Sequence, residues 1–250
     1  MNRPKMSKRW VSLTLPRRII ADLCHFSLSN PRGVICRKIN IAKLVAARGE
    51  LDARPAWPVL FMKAFALVAQ EMPELRRSYV KLPVPHFHES AISVASLVIE
   101  RDHEGEAALF LARIKQPEFL PVTELDAVLK SYKSLPVGEV RDFRRALMVA
   151  RLPLLLRRLI WWLGLNIGRQ RAGNYGTFAI SVLASQGAEI VYAVSLWTTL
   201  LSYGVIGRDG DTDVTISFDH RVMDGALIAG ALQRIETVMN DQLAKELARK

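Results

Sequence analysis

Near the C-terminus, Asp219-His220-Arg221-Val222-Met223-Asp224-Gly225 sets a histidine where a strand pattern gives way to a helix pattern. An imidazole, with an ordinary pKa of about 6.5, takes up and returns a proton near neutrality, and a strand end leaves such a base accessible. Acyl transfer is one reaction that needs this chemistry. The acceptor must lose a proton to attack a carbonyl, and the oxyanion that forms needs hydrogen-bond donors. His220 is therefore the candidate general base. Asp224 stands where a helix N-cap is expected, an acid favoured there by free backbone N–H groups and the helix dipole. Gly225 suits close backbone packing at the junction. His86 and His88 flank Phe87 and fall on one face of an extended segment, but no third ligand accompanies them, so no metal site is predicted.

The elements that must position His220 follow from periodicity. Val214 to Phe218 alternates apolar and polar residues after the turn-like run Gly207 to Asp211, and reads as the second strand of a hairpin. Ala226 to Leu232, continuing through Ile235 and Met239, has helical spacing. Earlier in the chain, helices are expected at about Arg17 to Ser27, Pro58 to Met72 and Thr123 to Leu135, the last with Thr123 as N-cap. Strands are expected at about Val34 to Asn40, Ser93 to Arg101 and Ala107 to Ala112, the last two joined by a turn at Asp102 to Gly105, with further strands around Phe178, Val191 and Thr199. Helices and strands that interleave in this way predict one α/β domain (α+β, two-layer) over residues 1–250, built on a mixed sheet.

Half of the 250 residues are hydrophobic, enough for one large core, and there is no repeat or low-complexity linker. Cys24 and Cys36, with no secretory leader, suit a reducing compartment. Residues 1–9 are basic but lead into no apolar stretch, so the expected location is cytoplasmic. The net charge of +11 calls for an acidic partner. No nucleic-acid-binding pattern is present, which leaves an anionic membrane surface, an acidic carrier protein or simply a solvated basic surface.

The DHRxxDG pattern, Gly176-Thr177-Phe178-Ala179-Ile180-Ser181, the opening Pro16-Arg17-Arg18-Ile19-Ile20-Ala21 with Ser27 and Pro31, the helix Leu60 to Val68 and Met72-Pro73-Glu74-Leu75 occur in a family-like order. Together they resemble the catalytic domain of the dihydrolipoamide acyltransferases of 2-oxoacid dehydrogenase complexes, within the chloramphenicol acetyltransferase-like superfamily. The resemblance implies that fold, a homotrimer in which the base of one subunit faces its neighbour, His220 as base and Ser181 as oxyanion donor. It also implies that Asp224 is held through an arginine near the chain start, Arg17 or Arg18. No cofactor is expected to be permanently bound; CoA or an acyl-carrier thioester would be the co-substrate. The pattern starts at about Trp10, with room for neither lipoyl nor peripheral-subunit-binding domains, so a stand-alone enzyme is expected. Where the family usually reads INPP, this chain reads Gly187 to Thr199, which leaves the acceptor open. A non-catalytic scaffold of the same fold and a transacylase served by a separate lipoyl domain are the alternatives.

Residues 143–165 depart most from that pattern. Arg144, Arg151 and Arg158 recur every seven residues and share one helical face, with leucines and tryptophans elsewhere, while Pro153 should kink or divide the helix. Arginines interrupt the stretch too often for a span of about 20 apolar residues. Three placements are compatible with it: a peripheral contact with the inner face of a membrane, packing within the protein or trimer with arginines toward solvent, or the wall of an acyl tunnel.

Overall fold

The computed structural model describes residues 10–249; the basic segment 1–9 lies outside them. Helix α1 (Leu15–Ser27) begins at Thr14, whose Oγ1 accepts a hydrogen bond from the Arg17 amide at 3.4 Å, with Pro16 in the first turn. Strand β1 (Arg32–Asn40) and the short helix α2 (Ala42–Gly49) lead to α3 (Trp57–Glu71). That helix buries most of Val59 to Ala69, as its nearly all-round apolar sequence requires. A 3₁₀ turn at Pro73–Arg76 precedes a small hairpin of β2 (Arg77–Val80) and β3 (His86–Glu89). A longer hairpin follows, β4 (Val94–His103) and β5 (Glu106–Lys115), turned at Glu104 and Gly105, both with positive φ.

The helices α4 (Val122–Ser134), α5 (Arg141–Ala150), α6 (Leu154–Asn166) and α7 (Gly168–Tyr175) separate this hairpin from β6 (Phe178–Ile180). The chain closes with β7 (Thr199–Tyr203), β8 (Asp211–Asp219), α8 (Gly225–Val238), one π turn and α9 (Ala244–Ala248). Six strands make one mixed sheet in the order β1-β8-β7-β6-β4-β5, in which β6 runs parallel to both neighbours. The expected α/β architecture and the hairpin leading to His220 are both present.

Alternation along the strands assigns the two sheet faces. Tyr203 of β7 stacks on Phe61 of α3 at 3.9 Å, and Phe178 of β6 stacks on Phe65 at 4.3 Å, so α3 covers one face. Leu200 and Ser181, of opposite parity, line a cavity that α1, α5 and α6 cover on the other face. Gly176 sets the start of β6: its φ is +91°, and a Cβ there would meet Ser96 Oγ at 2.6 Å and the Val94 carbonyl at 2.8 Å.

Three local expectations are corrected. Thr123 is not the N-cap of α4; Pro121 occupies that position, and Glu246 of α9 accepts from the Val122 amide at 2.9 Å. The strand expected around Val191 is absent, because carbonyls of that segment are taken by side chains: Ile190 by Ser202, Ser195 by Asn30, and Leu196 by Asn30 and Arg171. Finally, Pro153 divides the arginine-rich stretch, so Arg144 on α5 and Arg158 on α6 share no continuous helical face.

One arginine of the stretch turns inward. Arg157 is buried and pairs through two nitrogens with Asp22 of α1, itself 1% exposed, pinning α6 to α1. Breaking a buried pair strands a charge, whereas replacing both partners with apolar groups does not. Asp22→Ala should therefore cost about 3–5 kcal/mol in urea unfolding. The double variant Asp22→Leu/Arg157→Met should recover most of that loss.

Candidate active site

His220 follows directly on β8, where its amide donates to the Pro31 carbonyl at 2.9 Å, and its ring lies 5.4 Å from that of Phe218. The strand end and the start of β1 thus hold its backbone while the side chain remains 53% exposed. Asp224 Oδ1 lies 3.2 Å from His220 Nδ1, one helical turn along the chain. The contact lacks the alignment of a hydrogen bond, but a carboxylate so placed favours the tautomer that carries its proton on Nδ1 and leaves Nε2 as the proton acceptor. Asp224 occupies the N-cap position of α8, yet its side chain makes no capping bond. At Gly225 a Cβ would lie 3.1 Å from Ile35 Cδ1, a side-chain neighbour rather than backbone.

The arginines near the chain start do not support Asp224 within one chain. Arg17 pairs with Glu106 at 2.9 Å and Arg18 donates to the Leu13 carbonyl at 3.3 Å, because the helix they begin runs beside β5 rather than β8. With Thr14, Arg17 holds the Glu106 carboxyl below its ordinary range.

Other arginines frame the site, and the sequence analysis missed them. Asp219 is fully buried and accepts from the Arg221 amide at 3.1 Å and from two guanidinium nitrogens at 2.9 and 2.6 Å. Arg221 also donates to Asn30 Oδ1 at 2.6 Å and lies 4.5 Å from the centre of the Tyr79 ring. Behind them, Arg171 donates to the carbonyls of Tyr79, Leu165 and Leu196, and Arg32 donates to those of Trp197 and Ser217. Burial lowers the pKa of both guanidinium groups to about 10, against the opposing pull of Asp219. Asp219 and Arg221 belong to the motif itself. Arg32 and Arg171 carry no local signal beyond being arginines in apolar surroundings.

Ser181 lies just past β6, its amide donating to the Leu201 carbonyl at 3.2 Å. It lines a cavity of about 470 Å³ bordered by α1, α5, α6, α7 and the sheet. His220 does not line that cavity. His86 and His88 lie on β3; His86 Nδ1 is 2.7 Å from the Val84 carbonyl, and His88 abuts Gly168. Among the described residues no cluster of three or more His, Cys, Asp or Glu side chains could hold a metal ion. No helix among them is long and apolar enough to cross a membrane.

No protein-family model matches the chain, and no curated protein matches it. Solved structures do. A probable dihydrolipoamide acetyltransferase from Listeria monocytogenes 4b F2365 is 17% identical, with 97% of each chain covered and a TM-score of 0.68. The dihydrolipoamide acetyltransferase (E2p) of Azotobacter vinelandii is 17% identical over 94% of this chain and 92% of its own, also with a TM-score of 0.68; its structure was studied for the catalytic roles of a serine, a histidine and an asparagine. Chloramphenicol acetyltransferase is 15% identical over 88% of this chain and 94% of its own, with a TM-score of 0.53. The chain therefore has the chloramphenicol acetyltransferase-like fold in the form seen in dihydrolipoamide acyltransferase catalytic cores, as the resemblance implied.

The buried charges behind the motif make a specific demand. Removing the Asp219 charge leaves Arg221, Arg171 and Arg32 uncompensated, so Asp219→Ala should lower unfolding stability by about 3–5 kcal/mol. It should also abolish the ordered environment of His220, read as collapse of its imidazole NMR shifts toward those of an unstructured peptide.

Proposed function

We propose that the protein is an acyltransferase that moves an acyl group from a CoA or acyl-carrier thioester to a thiol, hydroxyl or amine. The observation that carries this reading is His220 at an open strand end, with Asp224 Oδ1 3.2 Å from Nδ1 and no hydrogen bond to Nε2 among the described residues. In the reaction, Nε2 removes the acceptor's proton as the acceptor attacks the thioester carbonyl, and the Ser181 hydroxyl donates to the resulting oxyanion. Collapse of the tetrahedral species breaks the C–S bond, and the departing thiolate takes the proton back from His220. The A. vinelandii enzyme offers a parallel: its studied asparagine follows its histidine by four positions, the spacing of Asp224 and His220. A carboxylate at that position places a negative charge beside Nδ1.

Because Ser181 lines the cavity and His220 does not, the reading includes an oligomer, a trimer in the resembled family, in which one copy's His220 meets a neighbour's Ser181. His220→Ala should lower thioester turnover by about 10²- to 10⁴-fold, and Ser181→Ala by about 10²- to 10³-fold. Mixing the two inactive variants under subunit exchange should restore activity, since some interfaces then pair an intact histidine with an intact serine. Equal, background-level turnover by wild type and His220→Ala across a broad donor and acceptor panel, lipoamide included, would leave a scaffold.

The partner reading adds a peripheral contact with anionic lipid. Its support is the outer face of α6, where Leu155 is 84% exposed and Leu159, Trp162 and Leu163 are exposed beside it. From Phe143 to Tyr175 the chain carries no acidic residue, and Arg144, Arg145, Arg151 and Arg169 are exposed, so a second copy would meet like charge whereas lipid phosphates would neutralise it. The protein should float with phosphatidylglycerol vesicles and not with phosphatidylcholine vesicles, and Leu155→Glu/Leu159→Glu should abolish flotation.

A further inference from the structure

We infer that the cavity beneath α6 holds an unbranched apolar acyl chain, so that the donor is a fatty-acyl thioester rather than an acetyl or similarly short one. This rests on the acyl-transfer reading and specifies the substrate class of the same site. The cavity of about 470 Å³ exceeds the needs of a two-carbon acyl group and lies within the range of about 300–1,000 Å³ of pockets that enclose whole organic ligands.

Four of the elements around it present aliphatic walls, Ile20 and Leu23 from α1, Val98 and Leu111 from the sheet, Val149 from α5 and Ile160 from α6, while α7 adds Gln170, Asn174 and Tyr175. Of the charged groups that reach it, all but the exposed Arg145 are matched to one another. Arg157 is bound to Asp22 and Arg113 to Asp142. Trp197 is likewise engaged, its indole N–H donating to the Tyr175 carbonyl. Arg145, Gln170 and Asn174 are polar lining residues that are exposed. A polar occupant would give up its hydration for walls with few free partners, whereas an alkyl chain gives up none. Ser181 in the same wall puts the oxyanion donor where the carbonyl of such a chain would be carried.

The test uses S-alkyl pantetheines, unreactive thioethers of the arm common to CoA and carrier donors, from ethyl to dodecyl, titrated into wild-type protein and His220→Ala by calorimetry. Affinity should rise about fourfold per methylene, equivalent to about 0.8 kcal/mol, until the cavity is full. Ala146→Phe and Val149→Phe, which fill the cavity from α5, should end that rise at shorter chains and leave the ethyl compound unchanged. Affinity independent of length in wild type overturns the inference. So does a length dependence that both variants, folded by circular dichroism, leave intact, since the exposed face of α6 would then be the binder. Turnover of the matching acyl-CoAs separates the two proposals. Length-dependent, variant-sensitive binding without turnover keeps the pocket and removes acyl transfer, while acetyl transfer with length-independent binding does the reverse.

Discussion

Asp219 is the charge on which the site depends. It has no solvent exposure, yet it lies within a group of guanidinium side chains, Arg221 bound to it directly and Arg32 and Arg171 within its field. The two deeper arginines donate to main-chain carbonyls, which provide dipoles but no net countercharge. A single carboxylate thus makes burial of these cations tolerable in surroundings where an unmatched charge is strongly disfavoured. What they bind is main chain from several elements: Tyr79 in β2, Leu165 near the end of α6, Leu196 and Trp197 before β7, and Ser217 in β8. The segment before β7 has no ladder of its own and is fixed by these side chains, and His220 is the next residue after the carboxylate that anchors them.

A second buried pair organises the opposite face of the sheet. Arg157 and Asp22 hold α6 against α1 and leave the rest of α6 with two apolar sides, one over the cavity and one toward solvent. This division explains why the stretch resists reading from composition. A helix with one polar stripe advertises its orientation, whereas one with leucines around most of its circumference does not. The arginine spacing of seven pointed outward for Arg144 and Arg151, but the residue that fixes the helix is Arg157, outside that series.

Much of the fold was legible because local grammar and long-range structure agree. The Asp102 to Gly105 turn and the α3 run satisfy their backbone locally, and β8, though paired with β1 and β7, shows its buried face in its own alternation, so sequence neighbours suffice to find them. Legibility failed where a distant group meets a local need. Glu246 caps α4 in place of Thr123, and Asn30, Arg171 and Ser202 take carbonyls that a strand near Val191 would have used.

The sequence by itself determined that a histidine would stand at a strand-to-helix junction, that Asp224 would follow it by one helical turn, and that Ser181 would close a short strand elsewhere in the sheet. These are consequences of periodicity and motif order, properties of neighbouring residues. Only the tertiary structure decided that Asp224 turns to His220 rather than to the helix start, and that Arg17 goes to Glu106. It also decided that Asp219 answers three arginines, and that Ser181 faces a cavity His220 does not reach. Charges and cavities are shared among elements far apart in the chain, and their partners are chosen by packing geometry, which no local pattern encodes.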